Sequence, residues 1–487
     1  MARCGFGDAC PEGGLCAPSA RAGALCLKGC ASDADCRASE GYACDPDRKV
    51  CALPHVLVPV APSCPEGAPV KKSFGPALQI SSAKGPGRYA FEPTAVLGKS
   101  GEVIAAYITN GRLGDKNVLA TAVVSKDGAI VSSDRPFESD RENQFDPWMA
   151  ADGSGRAHLV WLGFDGGRAP EKRMEIGYST SMDGQTWSKP VAVHDEADCP
   201  NEMPGCFDKP MIAIGPAKAA PKKQALYLFY WSARSESLRV RRSLDLGKTF
   251  EKSVAVATDA YGDVSIDARG DIHVVYVALS RGGPDSRPEL FGDPRASVEY
   301  TRSTDGGATW QKPITVSDTG DVIPFFFSNP QVRFDAKRST LSVVYPRGGR
   351  DLRWDIMLAV SKDGGKKWSR TRVDDGERCA HHMTPATALD PADGRLHVAW
   401  TENRGGRGLV AYAVCTPAKV GCAKNEAVSD TPFAAYELVR HDLRWLGEYY
   451  PLLIDPKSRR LHLLWTETVD ESGLPTSRIF HAGASSQ

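Results

Sequence analysis

The sequence predicts an all-β chain: a β-propeller of seven four-stranded blades, preceded by a small disulfide-rich N-terminal module. Two observations carry this. From about residue 90 a pattern of short strands recurs seven times, and eight of the 14 cysteines fall within the first 51 residues. A chain of 487 residues exceeds one ordinary core, and a ring of similar sheets accommodates that length. Hydrophobic residues make up 41%, with 47 Gly and 34 Pro, which suits turns rather than long helices.

The first element is residues 1–53. Cys4, Cys10, Cys16, Cys26, Cys30, Cys36, Cys44 and Cys51 lie in a stretch too poor in apolar residues for a core of its own, so bridges must hold it. It has no His and no repeated C-x-x-C pair, which argues against zinc. The other six cysteines also suggest pairs. Cys199 and Cys206 bracket one short loop, Cys415 and Cys422 another, leaving Cys64 and Cys379 for a long-range bridge. An even count of this kind belongs to an oxidising compartment, so the protein is expected outside the cell or on its surface. Met1-Ala2-Arg3-Cys4 is not an apolar export segment, and the chain reads as a mature or trimmed form. Residues 54–73, rich in Pro and carrying a Lys pair, read as a linker.

Residues 74–487 hold the repeats. Their openings are Glu92-Pro93, Asp146-Pro147, Asp208-Lys209-Pro210, Gly262-Asp263, Asn329-Pro330, Thr384-Pro385 and Tyr450-Pro451. Second strands follow at 101–107, 155–161, 224–231, 270–276, 339–345, 394–400 and 459–465, alternating, β-branched and ending in an aromatic residue. The last repeat has room for only three strands. Residues 74–82 (FGPALQISS) resemble the fourth strands at 187–193 and 310–316. They are therefore expected to complete the final blade and close the ring, removing its exposed edges. Six blades is the alternative if the first or last unit is not a true blade.

Charge narrows the function. The 60 basic and 60 acidic residues cancel, without the surplus of Lys and Arg that nucleic-acid binding requires. No apolar run approaches the ~20 residues that span a bilayer. The expected partner is a glycan or an extracellular protein met by a monomer, with no cofactor and no metal.

Between third and fourth strands several repeats carry S-x-D-x-G-x-x-W/F. Ser303 to Trp310, Ser361 to Trp368 and Ser243 to Phe250 fit it, Ser181 to Trp187 is one residue shorter, and Ser125-Lys126-Asp127-Gly128 lacks the aromatic residue. These resemble the Asp-boxes, or BNR repeats, of the sialidase-like propeller superfamily, over residues 74–487. Asp183, Asp245, Asp305 and Asp363 recur once per blade, so they cannot converge on one substrate. Each is expected to accept turn amides, with Gly supplying the backbone shape and the aromatic residue burying its ring. The sixth repeat has no box, and a Cys415–Cys422 bridge would restrain its hairpin instead. His158, His273, His397 and His462 are likewise related by rotation and form no metal cluster.

In an antiparallel meander the 1–2 and 3–4 loops emerge on one face, the 2–3 loops and blade links on the other. The boxes occupy the first face, so a ligand site is expected on the second. There the variable loops lie at 162–175, 232–237, 277–298, 346–354, 401–408 and 466–477, the longest being a candidate lid. Asp146, Asp208, Asp263, Asn329, Glu448, His381 and His382 open inner strands on this side, with Trp148, Tyr449 and Tyr450 among its aromatics. Aromatic faces beside carboxylates and Arg forks suit sugar recognition.

Sialidases of the superfamily clamp a sugar carboxylate with three arginines and use a tyrosine nucleophile, a glutamate partner and an aspartate acid/base. The resemblance implies Asp146 as acid/base, Glu448 with Tyr450 as the nucleophilic pair, and Arg347, Arg378 and Arg444 as the clamp. Trp148, His381 and His382 complete the expected substrate contacts. Seven repeats exceed the six of sialidases, and the Arg-Ile-Pro-like signature before the first blade is missing. Three readings therefore stand: a propeller that binds a glycan or protein, an exo-acting glycoside hydrolase of sialidase type, and a structural module whose cysteine-rich segment contacts a partner.

Overall fold

The computed structural model describes residues 10, 14–19, 23–45, 49–52, 73–82, 89–110, 116–139, 141–165, 174–199, 205–258, 260–278, 296–319, 321, 323, 329–348, 354–375, 381–404, 407–434, 447–471 and 474–486. From residue 73 on they form seven antiparallel blades, the first six with their strands in sequence order. The first blade is Tyr89–Leu97, Val103–Asn110, Val118–Val124 and Ile130–Pro136; the second is Asn143–Ala151, Ala157–Phe164, Met174–Ser181 and Val191–Ala192. Inner strands Phe207–Ala217, Ala260–Ile266, Gln331–Asp335, His381–Leu389 and Leu452–Ile454 open the other five. The expected closure forms: Leu78–Gln79 pairs antiparallel with Leu474–Ser485, the third strand of the last blade, at Phe480↔Gln79 and His481↔Leu78.

Packing explains why the ring holds. One cluster of buried apolar side chains fills each of the seven joints, including the joint between last and first blades. Second-strand aromatics Tyr107, Trp161, Tyr345, Trp400 and Trp465 are fully buried in these clusters. A single blade could not cover two such faces by itself; its neighbours do so.

The Ser-Asp-Gly turns act as the sequence suggests. Asp305 accepts from the backbone N–H groups of Ala308 (3.1 Å) and Thr309 (3.0 Å). Asp183 does so from Gln185 and Thr186, and Asp363 from Lys366 and Lys367. Hydrogen bonds from Thr249 hold the Asp245 carboxyl down at about 2. Gly247, Gly307 and Gly365 take φ of 91°, 87° and 93°, a region other residues resist. Each turn's aromatic residue packs into the joint with the preceding blade, as Trp310 and Trp368 do. In the sixth blade Cys415 and Cys422 are bonded and pair directly across the hairpin.

Of the other bridges, Cys199–Cys206 forms as expected, and the N-terminal module contains Cys10–Cys26, Cys30–Cys44 and Cys36–Cys51. Cys64 and Cys379 lie outside the described residues.

The second-strand histidines are internal struts. His158 meets Tyr178 Oη at 2.7 Å and Asp152 at 3.3 Å, His273 meets Tyr300, and His397 meets Tyr412. His462 stacks on His481 with ring nitrogens 3.0 Å apart. Burial holds His397 and His462 down at about 4 and His481 at about 3. The unfolded chain thus binds more protons than the folded one between about pH 6.5 and 4, and stability falls with pH across that window. Each of these imidazoles is expected to cost roughly 1–3 kcal/mol by pH 4. Thermal melts at pH 7 and 4.5 check this. His397→Asn should melt lower at pH 7 yet lose less on acidification, and a pH-independent midpoint would contradict the account.

Candidate functional site

Proline has no N–H to give to a sheet ladder, so an inner strand carrying one must distort. Four of them bulge at the same place. Pairing slips between Phe91 and Thr94, Phe145 and Trp148, Asp208 and Met211, and Met383 and Ala386. The residue before each proline is left-handed: Glu92 at φ 51°, Asp146 at 48°, Lys209 at 47° and Thr384 at 53°. A residue with a side chain is strained there, by about 1–3 kcal/mol. The bulge turns each side chain out of the strand's alternation.

Three of these strained residues carry charge, and they meet at the face of the blade links. Lys209 Nζ lies 3.1 Å from Asp146 Oδ1 and 2.8 Å from Glu448 Oε2, its side chain only 15% exposed. Burial works against the ammonium, but Asp146, Glu448, Glu92 and Asp208 outweigh it and hold Lys209 charged well above the usual lysine range. Burial raises the Glu448 carboxyl above its ordinary value, with Lys209 pulling the other way. Gly447, at φ 103°, lets this segment press on Glu92: a Cβ there would sit 3.0 Å from the Glu92 side chain.

Two aromatic rings join the cluster to the channel. Tyr449 packs against Trp148 with centroids 5.3 Å apart, donates its hydroxyl to Pro147 O at 3.2 Å, and has Lys209 Nζ 5.9 Å from its ring centre. Burial and the neighbouring carboxylates push the Tyr449 phenol well above its usual range. Both rings line a cavity of about 320 Å³ in the channel, which also has Asp263, Gln331 and Arg333 on its wall. Asp263 accepts from Arg333 at 2.5 Å and from Val332 N at 3.0 Å, so this pair ties the fourth blade to the fifth.

The expected site residues divide. Asp146 and Glu448 come together on Lys209, and Trp148 stands beside them. Tyr450 does not pair with Glu448. It sits in the joint between the sixth and seventh blades with Phe74 and Trp465, its hydroxyl against Thr401 and Thr466. The two-residue spacing failed because 447–451 is not regular strand, and the tyrosine by the carboxylates is Tyr449. Arg347 is bound to Asp321 (3.1 Å), with Asp355 at 3.9 Å. His382 is fully buried, with Nδ1 2.9 Å from Trp354 O and the Asp374 and Glu402 carboxylates within 3.5 Å, which removes it from ligand contact. His381 begins its strand, and Arg378 and Arg444 lie outside the described residues. Sequence reasoning missed Lys209, and it named Tyr449 only among the aromatics of this face. A lysine before proline at a blade opening was the available signal for the first.

Asp355, Asp374 and His382 place three possible metal-ligand atoms within 4.8 Å of one another. They do not fit a cation. Nδ1 of His382 is spent as a donor to a carbonyl, and Arg372 already occupies both carboxylates.

No protein-family model matches the chain, and no curated protein does. Solved structures share the fold. A protein of unknown function from Dyadobacter fermentans is 14% identical, with 84% of this chain and 98% of that one covered at a TM-score of 0.49. The alpha-L-arabinofuranosidase Arb93A from Fusarium graminearum is 15% identical over 69% and 92%, with a TM-score of 0.45. The NanB sialidase from Streptococcus pneumoniae is 12% identical over 86% and 71%, with a TM-score of 0.42. The last two are β-propeller glycoside hydrolases.

Proposed function

We propose that the protein recognises a neutral glycan at the link-side mouth of its channel, acting as an extracellular or surface-displayed monomer. The Trp148–Tyr449 ring pair beside the 320 Å³ cavity carries this reading. Rings of this kind cover the apolar face of a sugar, and the volume is at the small end of ligand pockets. The charges favour a neutral sugar. Among the described residues Lys209 faces four acids, Glu92, Asp146, Asp208 and Glu448, so an acidic sugar would meet like charge. A glycan array of the full chain tests it. Trp148→Ala should weaken binding about tenfold, and a preference for sialylated glycans would overturn the reading.

A second reading, exo-acting glycoside hydrolysis, is favoured by Asp146 and Glu448 both reaching one ammonium. Retaining glycosidases hold their carboxyl pair about 5–5.5 Å apart, and a buried carboxyl with a raised pKa suits the general acid. With Arg347 engaged elsewhere, a three-arginine clamp has little support, and the expected substrate is neutral. Asp146→Asn and Glu448→Gln should each reduce turnover of a fluorogenic neutral glycoside by about 100-fold or more. No turnover by the unaltered protein across a glycoside panel would leave binding alone.

A further inference from the structure

A second recess, of about 890 Å³, lies between the outer strand of the first blade and the turn and outer strand of the second. It lies beside the second blade's Ser-Asp-Gly turn, which is one residue shorter than those of the third to fifth blades. The short turn changes what its aromatic residue does. Trp310 and Trp368 bury indole N–H groups that find no hydrogen-bond partner among the described residues. Trp187 instead donates its N–H to Gly184 O at 3.2 Å, within its own turn; it is half-buried, as Trp310 and Trp368 are, and stands on the wall of the recess. Phe137 fixes the ring from the other side, edge-on at 5.6 Å, and is itself packed on Trp161 at 4.8 Å. The result is a rigid aromatic wall that needs no further polar partner.

The polar lining carries no surplus charge. Arg141 is consumed by Asp165 and Glu175, at 2.9 and 2.8 Å. Exposed Glu138 and Lys189 are of opposite sign, and Gln185 adds an amide. Among the described residues the exposed lining offers an ionic ligand one charge of each sign, with Arg135 beside it donating to Gln185 O at 3.4 Å, whereas a ligand with one apolar face and many hydroxyls finds a ring, an amide and both hydrogen-bonding polarities. We infer that this recess is a saccharide-binding site for a neutral oligosaccharide, separate from the channel and independent of what the channel does.

Isothermal titration of the full chain with xylohexaose, arabinohexaose, cellohexaose and chitohexaose tests it, with a heparin hexasaccharide as the anionic control. At least one neutral probe should bind. Trp187→Leu, which keeps apolar contact with Phe137, should weaken that binding about tenfold. Glu138→Arg, which fills the recess from an exposed position, should do the same, and it decides the matter if Trp187→Leu does not fold. Trp148→Ala should leave this binding in place, which separates the recess from the channel. Binding of no neutral probe, preference for the anionic control, or, in the Trp148→Ala protein, binding that survives Glu138→Arg would each overturn the assignment.

Discussion

Replacing Lys209 by Ala is expected to lower the unfolding free energy by about 3–5 kcal/mol at pH 7, because it strands buried carboxylates that had shared one cation. Asp146 and Glu448 lose a partner at 3.1 and 2.8 Å, and both lie in a region with little water. Burial and the Asp146 charge, no longer opposed by Lys209, then raise the Glu448 carboxyl further above its value in the unfolded chain. Stability of the variant is therefore present at low pH and lost as pH rises, so its deficit should shrink between pH 7 and 5. Urea denaturation at both pH values measures this. Adding Glu448→Gln should recover part of the loss, a non-additivity that marks direct contact. A Lys209→Ala deficit below about 1 kcal/mol, or one unchanged with pH, would mean the ammonium does not hold this cluster together.

Phe74→Ala and Ile80→Ala are expected to cost about 3–5 and 2–5 kcal/mol, comparable to deletions from the centre of a core. Neither residue belongs to a long strand, but each plugs a different joint. Phe74 stacks edge-on against Tyr412 at 5.0 Å between the sixth and seventh blades, and Ile80 is buried between the seventh and first. The short closing strand thus seals two joints, and backbone bonds from Gly75 to Gly483 and from Ile80 to Ile479 fix it in place. Chemical denaturation of each variant is the measurement. Losses under about 1 kcal/mol would show that the ring closes without this segment.

Most of the ring was legible because blade geometry is written in local patterns. The aromatic that ends a second strand, the turn Asp and Gly, and the resemblance of 74–82 to a fourth strand all reflect burial or backbone shape that recurs at one period. The site was less legible. Asp146, Glu448 and Trp148 could be placed on the correct face from connectivity alone. Which of Tyr449 and Tyr450 faces the carboxylates depends on side-chain phase, and strand alternation does not hold across 447–451, which is not regular strand. Lys209 was hidden for a related reason. Only in the left-handed bulge does its side chain reach across to the neighbouring acids. His382 misled because a histidine at an inner-strand opening can point into a joint as readily as toward a ligand, and the acids that receive it come from the link before its strand and from the strand paired with it.

The closing bond between Ile479 N–H and Ser81 Oγ spans 398 residues of sequence. Its consequence is temporal. The closing strand Leu78–Gln79 is made before every other strand of the ring and has no mate until residues 474–485 are made, so the last joint must wait for the rest of the ring. Contacts of such long reach form slowly, and a chain held open at that seam exposes two unsealed sheet faces to its neighbours. Maturation should accordingly be the aggregation-prone interval in the life of this molecule, and the finished annulus its safe state.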